Sequence, residues 1–454
     1  MQGQTKKRRC AGLLALLLMG GAATAAEPVD LLEICNDALN LNPRYAAARA
    51  EYLAARELVP IAQGKLLPQI GLSGEANYIS HRVQGDFFGL IDVDRDDDYE
   101  SYQYGAVLEQ ALFRADLFLG KTQAEVRVRA ASYVLEAAQD ALLIDVAEAY
   151  FAVLAAYDAQ TSAEAEARSF GEQVEMLGSR VDAGLTTEAE LKAAQARHEL
   201  ALADRLEAEN AIMTTTARLE SLTGKRYPRL KRLPEDLRLL PPQPQDEQVW
   251  ISRAEAANAA VLAQRALAEA AKLDHERALK TAWPRVSLNG LLVRLDNGGG
   301  VNGERDDQYD RVGVSVEVPI YSGGQISAAQ RQTKELENRA VALVEEASAK
   351  AVRDARLAYL NNLSGLQRVD ALNRVVEASR ASEQAARAGY EAGTRSSTDL
   401  LQALDQRYRA ERDYSLARYR ALINSLRLKQ QAGQLLTADI AQISRLLRAA
   451  PAQP

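Results

Sequence analysis

The chain is poor in the residues that carry most site chemistry. Its 454 residues include two cysteines, three histidines and two tryptophans. Cys10 and Cys35 are the two thiols, and only Cys35 lies beyond the first 26 residues. No disulfide is expected within the remaining chain, and a lone thiol reads as packed. His81, His198 and His275 are scattered, so no metal spacing forms. Gly298-Gly299-Gly300 is not followed by the Lys-Ser/Thr and helix start of a phosphate cradle, and Gly224-Lys225 lacks the rest of one. No nucleophile–base constellation stands out, so neither a catalytic residue, a metal nor a cofactor is expected. No apolar run reaches the ~20 residues of a membrane-spanning helix. Positive charge is also short, with 55 basic against 62 acidic residues, which argues against a nucleic-acid partner.

Proline is absent over two long stretches, between Pro68 and Pro228 and between Pro319 and Pro451. Proline breaks helix interiors, so these gaps permit very long helices. Both are rich in Ala, Leu, Glu, Arg and Gln, which favour helix. Leu143, Val146, Tyr150, Val153 and Tyr157 step by three and four, and Ile144, Ala147, Phe151 and Leu154 run beside them. Two adjacent seams predict a helix that packs on neighbours at both flanks.

The first residues read as a secretory leader. Lys6-Lys7-Arg8-Arg9 precede a short apolar run from Ala11 to Met19 and the small residues Ala23-Thr24-Ala25. Cleavage after residue 26 removes four positive charges and takes the formal net charge from −7 to −11. Cys10 follows Arg9 rather than a small-residue lipobox, so no lipid anchor is expected there. A secreted acidic chain of this kind fits the periplasm or outer membrane of a Gram-negative cell.

What is present is present twice. Asn42 to Ala50 returns 216 positions later as Asn258 to Ala266, and Leu67 to Gly74 returns at the same offset as Trp283 to Gly290. Tyr104 to Phe113 returns as Val312 to Tyr321, and Arg180 to Gly184 as Gly389 to Gly393. Order and spacing are kept, so the chain is a tandem duplication of about 200 residues. The expected division is a first repeat over residues 27–227, a linker with five prolines over 228–248, a second repeat over 249–432, and a tail over 433–454 that packs outside the helices. Each repeat is expected to hold a long helical hairpin, within 117–223 and 326–431. The turns carry Gly184 and Gly393, residues suited to the positive φ that ends a helix.

Ahead of each hairpin the period changes to two. Residues 70, 72, 74, 76 and 78 read Ile, Leu, Gly, Ala and Tyr, with polar residues or glycine between them; Val312, Val314, Val316, Val318 and Ile320 form a second alternation. Strands are expected at about 68–82, 101–113, 284–296 and 309–321, long enough to cross a membrane as tilted barrel strands. The polar segments 81–100 and 297–309 read as links. Tyr78, Tyr102, Tyr104 and Trp283 are either an aromatic girdle or good strand formers. Four strands cannot close a barrel, and lipid tolerates no open sheet edge. The chain must therefore pool strands with other copies, and a trimer supplies twelve.

These residues carry a resemblance. Pro68 and Pro284 open strands, Pro319 closes one within Val318-Pro319-Ile320-Tyr321, and Tyr390-Glu391-Ala392-Gly393-Thr394-Arg395 is followed by Asp399-Leu400-Leu401. In this order and duplication the chain resembles the TolC family of outer-membrane efflux and secretion channels, within it the type I secretion branch. The resemblance implies a mainly α fold with membrane β: a homotrimer with a twelve-stranded barrel in outer-membrane lipid and a helical tunnel in the periplasm. It implies docking to a periplasmic adaptor and an inner-membrane transporter of the ABC or RND type, and a passive duct rather than an enzyme. By motif, Tyr390 and Arg395 would tie the second hairpin to the first through Glu190 and hold the entrance shut. Asp399 would form an acidic ring inside the entrance. The second acidic position falls on Gln402, with Asp405 one turn further as a replacement.

Two other readings stand beside the secretion channel. One is a multidrug efflux channel; members of that branch often carry the lipidated N-terminal cysteine that is absent here. The other is a soluble periplasmic coiled-coil adaptor, which accounts for the helices and leader but not for two identical strand arrangements ahead of two long helices.

Overall fold

A computed structural model describes residues 27–87, 89, 91–234, 237–300 and 303–448. The expected leader, residues 1–26, lies outside the described residues. The elements in chain order are α1 (Leu31–Leu41), α2 (Pro43–Arg56), α3 (Leu58–Gly64), β1 (Gln69–Phe87), β2 (Ile91–Phe113), α4 (Ala115–Asp182), α5 (Glu188–Thr223), α6 (Glu247–Ala257), α7 (Ala259–Lys280), β3 (Arg285–Asn297), β4 (Arg305–Glu317), α8 (Gln325–Glu391), α9 (Ser397–Gln431) and α10 (Thr437–Leu446). The long rods α4 and α8 have 68 and 67 residues. At ~1.5 Å per residue each is about 100 Å long.

Two asparagines show the duplication at atomic scale. Asn42 Oδ1 caps α2 by accepting from the Arg44 and Tyr45 amides, and its Nδ2 donates to the Leu222 carbonyl near the end of α5. Asn258 Oδ1 caps α7 by accepting from the Ala260 and Val261 amides, and its Nδ2 donates to the Gln431 carbonyl at the end of α9. Each therefore starts one helix and pins the end of another.

The main core lies midway along α4. Almost every residue from Leu142 to Leu154 is buried, because neighbours cover this stretch on all sides. Leu31, Ile34 and Ala38 of α1, Leu422 and Leu426 of α9, and Ile440 and Ile443 of α10 close around it. Cys35 sits in the same core, where burial pushes its thiol up to about 12. The proline-rich segment between the repeats is not a free tether. Its backbone pairs with Val29 on one side and Arg448 on the other, Leu230 and Leu233 are buried, and the Lys231 carbonyl accepts from the Tyr150 hydroxyl. The C-terminal α10 packs on α1 in this collar.

The strands form one antiparallel sheet in the order β1-β2-β3-β4. Register puts Ile70, Leu72, Tyr78, Tyr102, Tyr104, Leu292, Val312, Val314 and Val316 on one face. All nine are exposed, Leu72 at 85%, which is the pattern of a lipid-facing surface. Gln69, Ser73, Glu75, Asn77, Gln103 and Asn289 occupy the opposite face. A soluble adaptor would have no use for such an apolar face.

Residues 81–87 and 91–100 of the polar segment expected as a link are strand instead. β1 and β2 pair without interruption from Gln69↔Glu109 to Phe87↔Ile91, well past the last β2–β3 pair at Ser101↔Asn297. Cross-strand polar pairs, Arg82 with Asp96 and Gln84 with Asp94, hold this ribbon. An apolar-alternation criterion does not register such pairs. β4 begins at Arg305 and ends at Glu317, short of the expected residue 321. Pro319 cannot donate to a ladder. Pro68 and Pro284 stand immediately before β1 and β3.

Candidate functional site at the hairpin tips

The α4–α5 and α8–α9 hairpins end in the same turn. Gly184 and Gly393 have φ of 70° and 72°. Gly184 N–H donates to Val181 O and Leu185 N–H to Arg180 O; Gly393 N–H donates to Tyr390 O and Thr394 N–H to Gly389 O. This paired closure satisfies the last carbonyls of each rod, and the positive φ favours glycine. Thr187 then caps α5, and Ser396 caps α9. The α4–α5 and α8–α9 hairpins meet along a seam of Phe170, Leu177, Ala194, Ala201, Leu400, Leu401, Leu404 and Tyr408.

Glu190 joins the two hairpins. Its Oε2 accepts from Thr186 Oγ1 at 2.6 Å and from Ser397 Oγ at 2.8 Å. These bonds, Thr186 first, hold its carboxyl below the usual range. The expected partners, Tyr390 and Arg395, do not meet Glu190. Tyr390 is buried in the seam beneath the Arg180 guanidinium, 5.1 Å from the ring centroid, and its hydroxyl has no hydrogen-bond partner among the described residues. Arg395 lies exposed across the turn, its stem over Gly389. The tie runs through Ser397 because that residue occupies a seam position facing α5, whereas Tyr390 is turned into the apolar packing.

Asp399 is exposed in the first turn of α9. Its Oδ2 accepts from the Ser396 hydroxyl at 2.8 Å and from the Ser396 amide at 3.1 Å, which closes a capping box. The Ser396 hydroxyl and then its amide hold the Asp399 carboxyl below the usual range, so it stays charged. Gln402 is exposed one turn along the same helix. Asp405 is not a free acid in line with Asp399. Its side chain is largely covered and pairs with Arg409 at 2.9 Å and Arg197 at 3.7 Å. Position 405 turns toward α5, which corrects the expectation that it replaces the second acid.

Sequence reasoning missed Ser397, Thr186 and Arg180. Ser397 had a signal: it is a polar residue at a helical step ahead of the buried Leu400, Leu401 and Leu404.

The model of the outer membrane efflux protein family matches residues 34–225 and 250–434, most of the chain. The chain belongs to this family. TolC of Vibrio cholerae serotype O1 is similar at 29% identity over 437 residues, covering 95% of this chain and 97% of that protein. The alkaline protease secretion protein AprF of Pseudomonas aeruginosa is 27% identical over 419 residues, covering 91% and 86%. In fold, the Campylobacter jejuni CmeC outer membrane channel is similar with a TM-score of 0.77 at 17% identity, covering 92% of this chain and 89% of that one. This outer membrane efflux family member is thus an outer-membrane channel of the efflux and secretion type, its sheet in the membrane and its rods in the periplasm.

Proposed function

We propose that three copies of this chain close a twelve-stranded barrel and a periplasmic tunnel, and that the hairpin tips are its entrance gate. The carrying observation is the single open sheet of four strands with an exposed apolar face, placed on the same chain as two rods whose tips are fastened together. Both sheet edges must find partners in lipid, and the unpaired edges of β1 and β4 complement each other between copies. Cargo passes through without chemical change, handed on from a periplasmic adaptor and an inner-membrane ABC or RND transporter that dock at the tips. AprF is by name a protease secretion protein, which favours type I protein secretion as the cargo class here.

In this reading α8–α9 is the inner hairpin of the tunnel and α4–α5 the outer one; the inner hairpin swings outward to open, and the Glu190–Ser397 bond resists that motion. Arg395, exposed, and the Tyr390 hydroxyl, without a partner among the described residues, are the groups that tie neighbouring copies. Three Asp399 carboxylates ring the entrance and attract cations. The test is single-channel conductance of detergent-purified protein in planar bilayers. The expected result is a small, cation-selective conductance that loses its preference in Asp399→Ala. An unchanged selectivity in that variant removes Asp399 from the gate, and failure to insert removes the channel assembly.

A further inference from the structure

Above the tips, a second polar connection crosses between the hairpins. Arg412 of α9 places Nη1 3.0 Å from Glu166 Oε2 on α4 and 3.8 Å from Asp204 Oδ2 on α5. Glu166 is the most enclosed of the three, with its side chain 5% exposed. The other charges facing it are Asp405 and Arg409 of α9. Burial raises the Glu166 carboxyl above its usual range, and Arg412 is the largest influence opposing that rise.

The remaining polar groups of the seam behave differently on opening. Glu383 is also buried, but its partners Arg387 and Arg407 lie on α8 and α9, so that cluster travels with the inner hairpin. Asp158 of α4 accepts from the Ser415 and Tyr419 hydroxyls of α9, neutral donors that water replaces without stranding a charge. Asp405 leaves Arg197 but keeps Arg409 of its own helix, and Arg427 of α9 pairs with Glu148 of α4, whose side chain is 20% exposed. Among the described residues, Arg412 leaves behind the most enclosed carboxylate of the seam when α9 moves. A buried ion pair adds little net stability, but it selects one register, since every other register leaves a charge unpaired.

We propose that Arg412 is a positioning residue for the gate: set between Glu166 and Asp204, it fixes the one register of inner on outer hairpin that closes the entrance. This rests on the reading that the inner hairpin moves to open.

Planar-bilayer conductance across pH tests it. Arg412→Met strands the Glu166 charge, and outward movement of α9 then gives that charge water. The ratio of open to closed time should rise about tenfold or more near neutral pH, the equivalent of one pKa unit of lost pairing. Because a protonated Glu166 suits the closed seam, mild acid, above the window in which the Glu190 tie is lost, should reclose this variant. Over the same range Arg412→Met combined with Glu166→Gln should remain closed, since no buried charge is left to expel and Asp204 is half exposed. If Arg412→Met yields no trimer, Arg412→Lys serves: the lysine nitrogen falls one bond short of the guanidinium Nη1 that pairs with Glu166, so a smaller, acid-reversible opening is expected. Ser397→Ala tests the gate reading separately. If Ser397→Ala opens the channel and the Arg412 variants behave as wild type, the lock is wrong and the gate stands. If neither opens it, both are wrong. Opening by Arg412→Met that neither acid nor Glu166→Gln reverses also overturns the lock.

Discussion

Ser397 and Glu190 are 207 residues apart in the chain, yet the Ser397 hydroxyl donates to the Glu190 carboxylate at 2.8 Å. Ser397 is buried and Glu190 also holds Thr186. A hydrogen bond to a charged acceptor contributes about 1.5–3 kcal/mol at most, less where water competes. Ser397→Ala should raise the open-to-closed ratio of the channel roughly fivefold, the equivalent of about 1 kcal/mol. The Glu190 carboxyl is held below its usual range. The tie is therefore complete above the ordinary carboxylate pKa and lost as pH falls through the folded value beneath it. Conductance recorded from pH 7 downward should rise only in that acid window. A Ser397→Ala channel indistinguishable from wild type would remove this bond from the gate.

Asn258 performs two tasks that substitutions can separate. Asn258→Ala removes both the cap of α7 and the pin on Gln431. It should cost about 2 kcal/mol, the sum of a cap and a part-buried hydrogen bond. Asn258→Asp keeps the capping oxygen and loses the Nδ2 donor, so it should cost about half as much. Thermal unfolding followed by circular dichroism ranks the two. Equal losses would mean that one of the two bonds contributes nothing.

Asp140 lines a groove with Asn258, Lys350 and Asp354, where burial first and Glu136 second push its carboxyl up to about 7. A raised carboxylate opposes folding once ionised. The penalty is absent below the ordinary pKa of ~4, grows as pH rises from there to about 7, and is constant above that. Asp140→Asn should then stabilise the protein by about 1–2 kcal/mol at pH 8, allowing for screening in an open groove, and by about a third of that at pH 5. Melting temperatures at the two pH values decide it; an equal shift at both would exclude ionisation as the cause.

The rods were legible because proline is excluded from helix interiors, and the two gaps span α4–α5 and α8–α9. The apolar strand segments were legible because a sheet with one lipid face alternates strictly. The β1–β2 ribbon was not, since Arg82–Asp96 and Gln84–Asp94 pair across strands without any apolar period. Gly184 and Gly393 announced both turns. The partner of Glu190 was not readable, because which side chain faces α5 depends on the rotation of α9 about its axis, and that is set by packing of Leu400, Leu401 and Leu404. Asp405 failed for the same reason: its position on the helix turns it toward Arg197.

The two asparagine pins also act as a measure of length. Leu222 lies 35 residues beyond the cap Thr187, and Gln431 lies 35 residues beyond the cap Ser396. Both return helices are thus hung from pinned upper ends and cut to one length, about 50 Å at ~1.5 Å per residue. Residue count brings the two tips to one level, where the Glu190–Ser397 bond can join them. Deleting one residue from α9 alone would lift its tip by ~1.5 Å and turn it by ~100°, carrying Ser397 away from Glu190. Deleting one from α5 as well would restore the height. For this chain, substitution is the mild perturbation, and an unmatched insertion or deletion in either return helix is the severe one.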